Sequence, residues 1–305
     1  EAARLRFAQQ LAGLADVFVN DAFGSWQSHT STLGITRLMP SYAGLLMQKE
    51  VAALRALIHP RRPFLAVIAG SKLDTKIGTI RAVAQRADHV ILGGQLYNAY
   101  VAAKYGVSIK GVDPADVELA RRELLTPEVE AKLVQLTTLV ESESLDGCGC
   151  VPLEGTCGGV PGPPGADADA RKLSVRPCRV PDLAPGTQCG YFLDVAAESF
   201  REPAVQAVVS GAATIFVNAV MGLTPSGFNE GTQALDATIA ANKRARKYFG
   251  GGDTLQEFKS LSPGLYMSAL EDPAYYLFTG GGTVLKALEM GGAHELGTVA
   301  ALLHK

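Results

Sequence analysis

Residues 63–95 read PFLAVIAGSKLDTKIGTIRAVAQRADHVILGGQ and hold two short apolar runs on either side of a stretch with a helical pattern. The runs end in glycine, at Gly70 and at Gly93. Apolar residues that continue through a whole run are typical of strands buried on both faces of a parallel sheet. The stretch therefore predicts a strand, a helix and a second strand of an α/β protein.

The same rhythm recurs along the chain, in the runs ADVFVNDAFG, AATIFVNAVMG, ARKYFGGGD and AYYLFTGGG, each followed by a helix-compatible segment. This repetition predicts an open, parallel, doubly wound (Rossmann-like) sheet. Arg246 and Lys247 lie where a central strand should be apolar, so we expect that strand to be short or near an edge. Residues 41–58, SYAGLLMQKEVAALRALI, predict one long amphipathic helix.

Composition narrows the class of protein. The chain has 305 residues, of which 47% are hydrophobic, enough for one large α/β unit or two domains. A net charge of -2 without a long basic run excludes a nucleic-acid-binding surface of the usual kind. No apolar run reaches the roughly 18 residues that a membrane-spanning helix needs. We expect a soluble protein of undetermined compartment; because the chain begins at Glu1, a removed targeting segment or a longer parent protein fits as well.

The cysteines are clustered. All five lie within residues 146–189, a segment rich in glycine and proline that we interpret as an inserted loop. They are Cys148, Cys150, Cys157, Cys178 and Cys189. Free thiols, a disulfide pair and a zinc site all fit this pattern, with zinc the minority reading because paired Cys-x-x-Cys spacing is absent. Their redox state stays open.

Glycines at the ends of the predicted strands indicate a binding site. Ligands of open parallel sheets bind at the carboxyl ends of the strands, where helices begin. A helix N-terminus carries unpaired amide hydrogens and a partial positive charge, and glycine allows a phosphate to approach them. A single glycine triplet is more often only a tight turn, but several at one edge favour a nucleotide site.

Taken in order, these segments resemble the successive motifs of the phosphoglycerate kinase family. The matching segments are VNDAFG, AGLLMQKEV, RPFLAVIAGSKLDTKIGTI, LGGQLYNAY, FVNAVMG, FNEGT, GGGDT and TGGGTVLKALE. The resemblance implies a two-domain α/β kinase that transfers a phosphoryl group between 1,3-bisphosphoglycerate and ADP with magnesium. It divides the chain into a remnant of the acid-substrate domain (1–40), an interdomain helix (41–62), a nucleotide-binding domain (63–287) interrupted by the insert, and a tail (288–305) that returns to the acid-substrate side.

The resemblance also implies which residues hold Mg-ATP or Mg-ADP. Lys72 and Lys76 match the lysines near the phosphates, and Asn218 matches an asparagine beside them. Asp253, next to Thr254, matches the carboxylate that holds nucleotide-bound magnesium. The remaining positions are glycines of the phosphate-facing loops, Gly70, Gly93, Gly250, Gly251, Gly252, Gly280, Gly281 and Gly282. Taken singly, the lysines could be solvated, Asn218 a turn residue, and Asp253 a helix N-cap shared with Thr254.

Departures from the family pattern are equally specific. Pro225 stands where the family has the glutamate that bonds the ribose, and Ala196 and Ala197 replace Gly-Pro. The segment NDAFGSWQSHTST lacks the arginine of the family motif and keeps only His29, which we interpret as a structural hydrogen-bonding residue. An arginine is a bidentate, always-charged clamp on phosphate or carboxylate that no neighbour here replaces. With most of the acid-substrate domain also missing, we expect no catalytic residue to be intact in this chain alone.

The sequence therefore favours a catalytically impaired scaffold or interaction subunit with residual ATP or ADP binding. The alternative is an active phosphoglycerate kinase whose N-terminal domain lies outside this chain, and a nucleotide-binding regulator stands between the two. The predicted strand VFVN would lack most of its sheet, so we expect a polypeptide partner to cover residues 1–40 and the C-terminal tail.

Overall fold

The structure, a computed structural model, describes residues 1–145 and 175–303. Its helices are α1 (Ala2–Ala12), α2 (Leu45–Ile58), α3 (Leu73–Arg86), α4 (Gly94–Tyr105), α5 (Pro114–Glu123), α6 (Pro127–Glu130), α7 (Pro203–Gly211), α8 (Glu230–Ala241), α9 (Gly252–Leu261), α10 (Pro263–Glu271), α11 (Gly281–Met290) and α12 (Gly297–Leu303). Its strands are β1 (Phe18–Asn20), β2 (Ser41–Ala43), β3 (Phe64–Gly70), β4 (His89–Gly93), β5 (Ser108–Ile109), β6 (Thr138–Ser142), β7 (Val175–Arg179), β8 (Gln188–Cys189), β9 (Tyr191–Val195), β10 (Thr214–Asn218), β11 (Arg246–Gly250) and β12 (Tyr275–Phe278).

The largest sheet has five parallel strands in the order β12-β11-β10-β3-β4. From β3 the chain adds β4 on one side, and later adds β10, β11 and β12 on the other. The strand order therefore reverses between β3 and β10, which is the switch point where open α/β sheets bind ligands. The predicted α/β class with a parallel, Rossmann-like sheet is confirmed.

The central strand of this sheet is apolar because both of its faces are covered. Every residue of β3 before Gly70 is buried. The following α3 carries Asp74 in its first turn and Arg86 in its last, which matches the direction of the helix dipole. Farther along the sheet, Phe216 on β10 and Phe249 on β11 are almost fully buried. Truncation of such a side chain to alanine costs roughly 3 to 5 kcal/mol.

The strand that contains Arg246 and Lys247 is as long as its neighbour β10, but it lies near an edge of the sheet, which is one of the two expected outcomes. It has five residues and lies second from the edge, inside β12. Lys247 is 1% exposed. Its ammonium donates to the Ala245 carbonyl at 3.1 Å and lies 4.7 Å from the centre of the Tyr275 ring on β12. This carbonyl and the ring face replace part of the water that the charge loses, so a lysine is tolerated here.

A separate two-stranded parallel sheet precedes the main one. β1, the predicted VFVN strand, pairs in the described chain with β2 alone. The helix expected over residues 41–58 begins only at Leu45, because residues 41–43 form β2 beside β1. Val19 on β1 and Tyr42 on β2 are each 57% exposed. This small sheet thus presents apolar side chains to solvent.

A three-stranded antiparallel sheet, β7-β6-β9, packs beside the main sheet. β7 and β8 lie within residues 146–189, so the loop prediction is wrong for the last part of that segment. β7 is an edge strand that contains Pro177, a residue tolerated at edges because it has no amide hydrogen to donate. Residues 146–174, with Cys148, Cys150 and Cys157, lie outside the described residues.

Candidate functional site

The carboxyl ends of β3, β10 and β11 open into a cleft of about 670 Å³. In register, Asn218 at the end of β10 lies beside Ile68 of β3, and Val217 lies beside Phe249 of β11. The three strands therefore end at one edge of the sheet, next to the switch point. Seven of the predicted site residues line the cleft: Gly70, Lys76, Asn218, Gly251, Gly252, Asp253 and Thr254.

Lys76 is held by hydrogen bonds at the wall of the cleft. It lies in the first turns of α3, and its ammonium donates to the Ala69 carbonyl and, at 2.9 Å, to Asn218 Oδ1. Burial lowers the pKa of Lys76, and the charge of Asp253 opposes that shift. The ammonium is thus a positioned charge within the cleft, and the solvated-lysine interpretation does not apply to it.

Asn218 joins the three strand ends. Its Oδ1 accepts from Lys76, and its Nδ2 donates to the Gly250 carbonyl at the end of β11. The side chain is buried. Asn218 therefore acts as a bridge that fixes Lys76 relative to the loop before α9.

The loop before α9 needs glycine at position 251. Gly251 has a φ of 128°, and a Cβ there would lie 2.5 Å from the Nδ2 of Asn218. Gly251 is also the N-cap of α9, and no side chain caps this end. The first amide hydrogens of α9 are thus available to a ligand. Asp253 belongs to the first turn and is not the N-cap, contrary to the alternative interpretation.

These residues fit a magnesium-bound nucleotide. The uncapped start of α9 and the Lys76 ammonium supply the donors and positive charge that phosphate oxygens require. Asp253 has no hydrogen bond or ion pair within the described parts of the chain, so its oxygens are available to a hard cation such as Mg²⁺. Within residues 1–145 and 175–303, no three His, Cys, Asp or Glu side chains form a metal site.

The second glycine loop lies behind the first one, outside the lining of the cleft. A Cβ on Gly281 would overlap the backbone of Gly251, so the two loops pack backbone against backbone. Thr283 donates through Oγ1 to the Phe23 carbonyl at 2.9 Å. Gly280 and Gly282 belong to the same loop, which therefore links the start of α9 to the segment that follows β1.

The other predicted positions lie next to the cleft without lining it. Gly250 accepts the bond from Asn218, and a Cβ on Gly93 would lie 2.6 Å from the sulfur of Met221. Lys72 is the N-cap position of α3, and its side chain does not line the cleft. Of the two predicted lysines, Lys76 thus lines the cleft and Lys72 does not.

Asp194 is a cleft residue that no motif in the sequence indicated. Its carboxylate accepts from the amides of Val195 at 2.8 Å and Gly231 at 3.1 Å. Burial raises the pKa of Asp194 to about 6, although those amides favour the ionised form. Glycine at 231 leaves room for this carboxylate, since a Cβ there would overlap it. Asp194 lies in FLDVAAES, the segment in which Ala196 and Ala197 depart from the family pattern.

Two further carboxylates carry no signal in the sequence, because only the tertiary structure brings one to the cleft and the other to the segment before the second glycine loop. Glu257 lies on the cleft wall with Pro225, and its Oε1 accepts from Thr224 Oγ1 at 3.0 Å. Glu50, fully buried on α2, accepts at 2.9 Å from the amide of Thr279, just before the second glycine loop. Burial raises the pKa of Glu50. This contact ties α2 to the end of β12.

The segment after β1 is held by backbone bonds and a buried phenylalanine. Phe23 is 2% exposed and stacks on Phe278. Asp21 Oδ1 accepts from the amide of Met47 at the start of α2, at 2.7 Å. The carbonyl of His29 accepts from the amide of Leu33 at 2.8 Å, while its imidazole has no hydrogen bond with any described residue. The structural role expected of His29 therefore belongs to its backbone.

Two findings concern other predictions. Cys178 and Cys189 are free thiols, and burial raises the pKa of Cys178 to about 11, which disfavours the reactive thiolate. None of the helices in the described ranges combines the length and the apolar character needed to cross a membrane.

Comparisons with known proteins agree with this architecture. The family model for phosphoglycerate kinase matches residues 1–291. The phosphoglycerate kinase of Roseiflexus sp. (strain RS-1) is 33% identical over 288 residues, which are 92% of this chain and 63% of the relative. That of Pelotomaculum thermopropionicum is 35% identical over 304 residues, 98% of this chain and 67% of the relative. The chain thus spans about two thirds of the length of these relatives.

Solved structures give the same result. The phosphoglycerate kinase of Coxiella burnetii matches 98% of this chain and 68% of its own, with a TM-score of 0.72 and 25% identity. The enzyme of Pyrococcus horikoshii matches with a TM-score of 0.66 and 21% identity, which supports the fold alone. With the parallel sheet, the ordered glycine loops and the match over residues 1–291, these similarities show that the chain belongs to the phosphoglycerate kinase family.

Proposed function

We propose that the protein is an active phosphoglycerate kinase, in which this chain holds Mg-ADP or Mg-ATP while a phosphoryl group passes from 1,3-bisphosphoglycerate to ADP, or in reverse from ATP to 3-phosphoglycerate. The observation that carries the proposal is the fixed Lys76 ammonium, held by Ala69 and Asn218 opposite Asp253 at the uncapped start of α9. Phosphoryl transfer depends mainly on positioning and on charge stabilisation, and this arrangement supplies both.

Each residue has a distinct part in the proposed reaction. Lys76 and the amides of Gly252 and Asp253 would orient the terminal phosphates and stabilise the negative charge that spreads over the transferred group. A magnesium ion, for which Asp253 is the candidate protein ligand, would supply positive charge against the phosphates. Asp253 would orient the ion, and Asn218 would keep Lys76 in place. The backbone contact between Gly251 and Gly281 would hold the two glycine loops in register.

The impaired scaffold that the departures favoured has less support. The phosphate-end residues lie together, and the similar proteins are named phosphoglycerate kinases. The missing arginine near His29 concerns the acid substrate, whose binding we assign to the remainder of the family fold. Leu5, Phe7, Val19 and Tyr42 are exposed apolar residues, which supports a polypeptide packed over residues 1–40 in the active protein.

The test is phosphoryl transfer from ATP to 3-phosphoglycerate, followed as ADP formation with the longest natural form of the protein. We expect turnover that requires magnesium and both substrates. A Lys76→Met variant should lose roughly 100-fold or more in kcat, as expected when a charge-stabilising group is removed. Lys259→Met, an exposed change on α9 outside the cleft, should behave as the wild type. Absence of turnover in wild-type protein that binds Mg-ADP would favour the scaffold instead.

A further inference from the structure

We propose that Glu257 binds the ribose hydroxyls of the nucleotide, a contact that the side chain of Pro225 cannot make. The inference rests on the proposed function, because it concerns a contact of the same nucleotide. Position 225 contributes a proline to the cleft wall, and proline has neither a carboxylate nor an amide hydrogen.

Glu257 lies about one helical turn beyond Asp253 on the wall of the cleft. Glu257 follows Asp253 by four residues on α9, and both line the cleft. Residues four apart lie on the same face of a helix, about 6 Å apart along its axis. If phosphates bind at the first turn of α9, the sugar lies farther along the same wall, beside Glu257.

The carboxylate is also held in a defined orientation. Glu257 Oε1 accepts from Thr224 Oγ1 at 3.0 Å, and Thr224 is the residue before Pro225. Within the described chain, Oε2 of Glu257 has no hydrogen bond or ion pair. A carboxylate only accepts hydrogen bonds, and the two hydroxyls of ribose are donors. An acidic side chain is the usual partner of a ribose in α/β nucleotide sites.

Other carboxylates of the cleft are less suitable. Asp194 already accepts from the amides of Val195 and Gly231. Asp253 lies at the phosphate end, in the first turn of α9. Glu257 is half-buried and combines spare acceptor capacity with a location next to the proline. The lost carboxylate at 225 thus has a replacement that comes from the neighbouring helix.

A purely structural role, in which Glu257 only tethers Thr224, makes a different prediction. In that case, substitution of Glu257 would change the affinity for all nucleotides equally. Loss of a ribose contact would change the affinity only for nucleotides that carry the ribose hydroxyls. The experiment is calorimetric titration of the full chain with Mg-ADP and with magnesium 2′,3′-dideoxy-ADP. The proteins are the wild type, Glu257→Ala, Glu257→Gln, and the control Glu271→Gln, which changes an exposed residue at the end of α10.

We expect the wild type and Glu271→Gln to bind Mg-ADP about tenfold more tightly than the dideoxy nucleotide, the usual effect of a hydrogen bond to a charged group. Glu257→Ala should bind both nucleotides equally, and Glu257→Gln should show a reduced preference. If Glu257→Ala does not fold, Glu257→Gln decides the question. A full preference in either folded variant would overturn the assignment, as would equal binding of both nucleotides by the wild type. A wild type that binds neither nucleotide would instead overturn the proposed function.

Discussion

The ammonium of Lys76 lies 2.9 Å from Oδ1 of Asn218, so a hydrogen bond joins the start of α3 to the end of β10. Asn218 passes this connection to β11 through its bond to the Gly250 carbonyl. A cation is therefore fixed across three neighbouring strand ends without any ligand. Its desolvation, which lowers the pKa of Lys76, is partly offset by Asp253.

The first prediction concerns this cation. Replacement of Lys76 by methionine keeps the approximate length of the side chain but removes the charge, so we expect Mg-ADP to bind at least tenfold more weakly. A charge-assisted contact to phosphate contributes roughly that much. Calorimetry measures the affinity, with Lys259→Met as the control. Unchanged affinity in Lys76→Met would show that the phosphates lie elsewhere.

The second prediction compares two adjacent glycines. Gly251→Ala forces a side chain onto a φ of 128° and against Asn218, so we expect a loss of roughly 1 to 3 kcal/mol in the free energy of unfolding. A Cβ on Gly252 meets no atom within 4 Å, and alanine favours helix over glycine. Gly252→Ala should thus be neutral or slightly stabilising. Urea denaturation measures both, and equal stability of the two variants would contradict this reading of the loop.

The third prediction concerns a buried carboxyl outside the cleft. Asp236 on α8 is 4% exposed and accepts from Ser262 Oγ at 2.7 Å. Burial raises its pKa from 3.8 to about 7. Between these values the folded protein keeps a proton that the unfolded chain has lost. The contribution of this group to stability therefore falls as pH rises from about 4 to about 7, by roughly 4 kcal/mol in total.

Asp236→Asn should remove this penalty, because an amide can still accept the bond from Ser262. We expect the variant to be more stable than the wild type at pH 8 and similar to it at pH 4, measured as the free energy of unfolding in urea. Asp16→Asn, an exposed change, serves as the control and should follow the wild type at both values. A variant less stable than the wild type at pH 8 would show that the ionised carboxyl is stabilising.

Some elements were predictable because their own residues determine them. Every residue of β3 before Gly70 is buried and apolar, so the pattern alone indicates a central strand. The signal of β11 is weaker, because Lys247 is accommodated inside the sheet through the Ala245 carbonyl and the Tyr275 ring on the next strand. The sequence pattern predicts helix over the residues of β2, because these three residues form a strand only by pairing with β1.

The site residues also divide into those that local motifs indicate and those that only tertiary contacts determine. Motifs indicated Lys76, Asn218 and Asp253, which the fold brings to one cleft. Glu257 carried no local signal, since its position on the wall depends on how α9 packs beside the turn that contains Thr224. Lys72 had the same signal as Lys76, but it is the N-cap residue before α3 and does not line the cleft. Lys72 lies before the first residue of the helix, so which of the two lysines faces the cleft depends on where α3 begins, and a helix boundary is hard to resolve from sequence.

Whether this cleft holds a magnesium-bound nucleotide is tested most directly by calorimetric titration of the full chain with ADP, with and without magnesium. The proteins to compare are the wild type and Asp253→Asn. We expect ADP to bind the wild type about tenfold more tightly with magnesium, and we expect Asp253→Asn to lose this advantage, because that carboxylate would orient the ion. A wild type that binds ADP no better with magnesium, or an Asp253→Asn variant that keeps the full advantage, would contradict the claim that this cleft holds a magnesium-bound nucleotide.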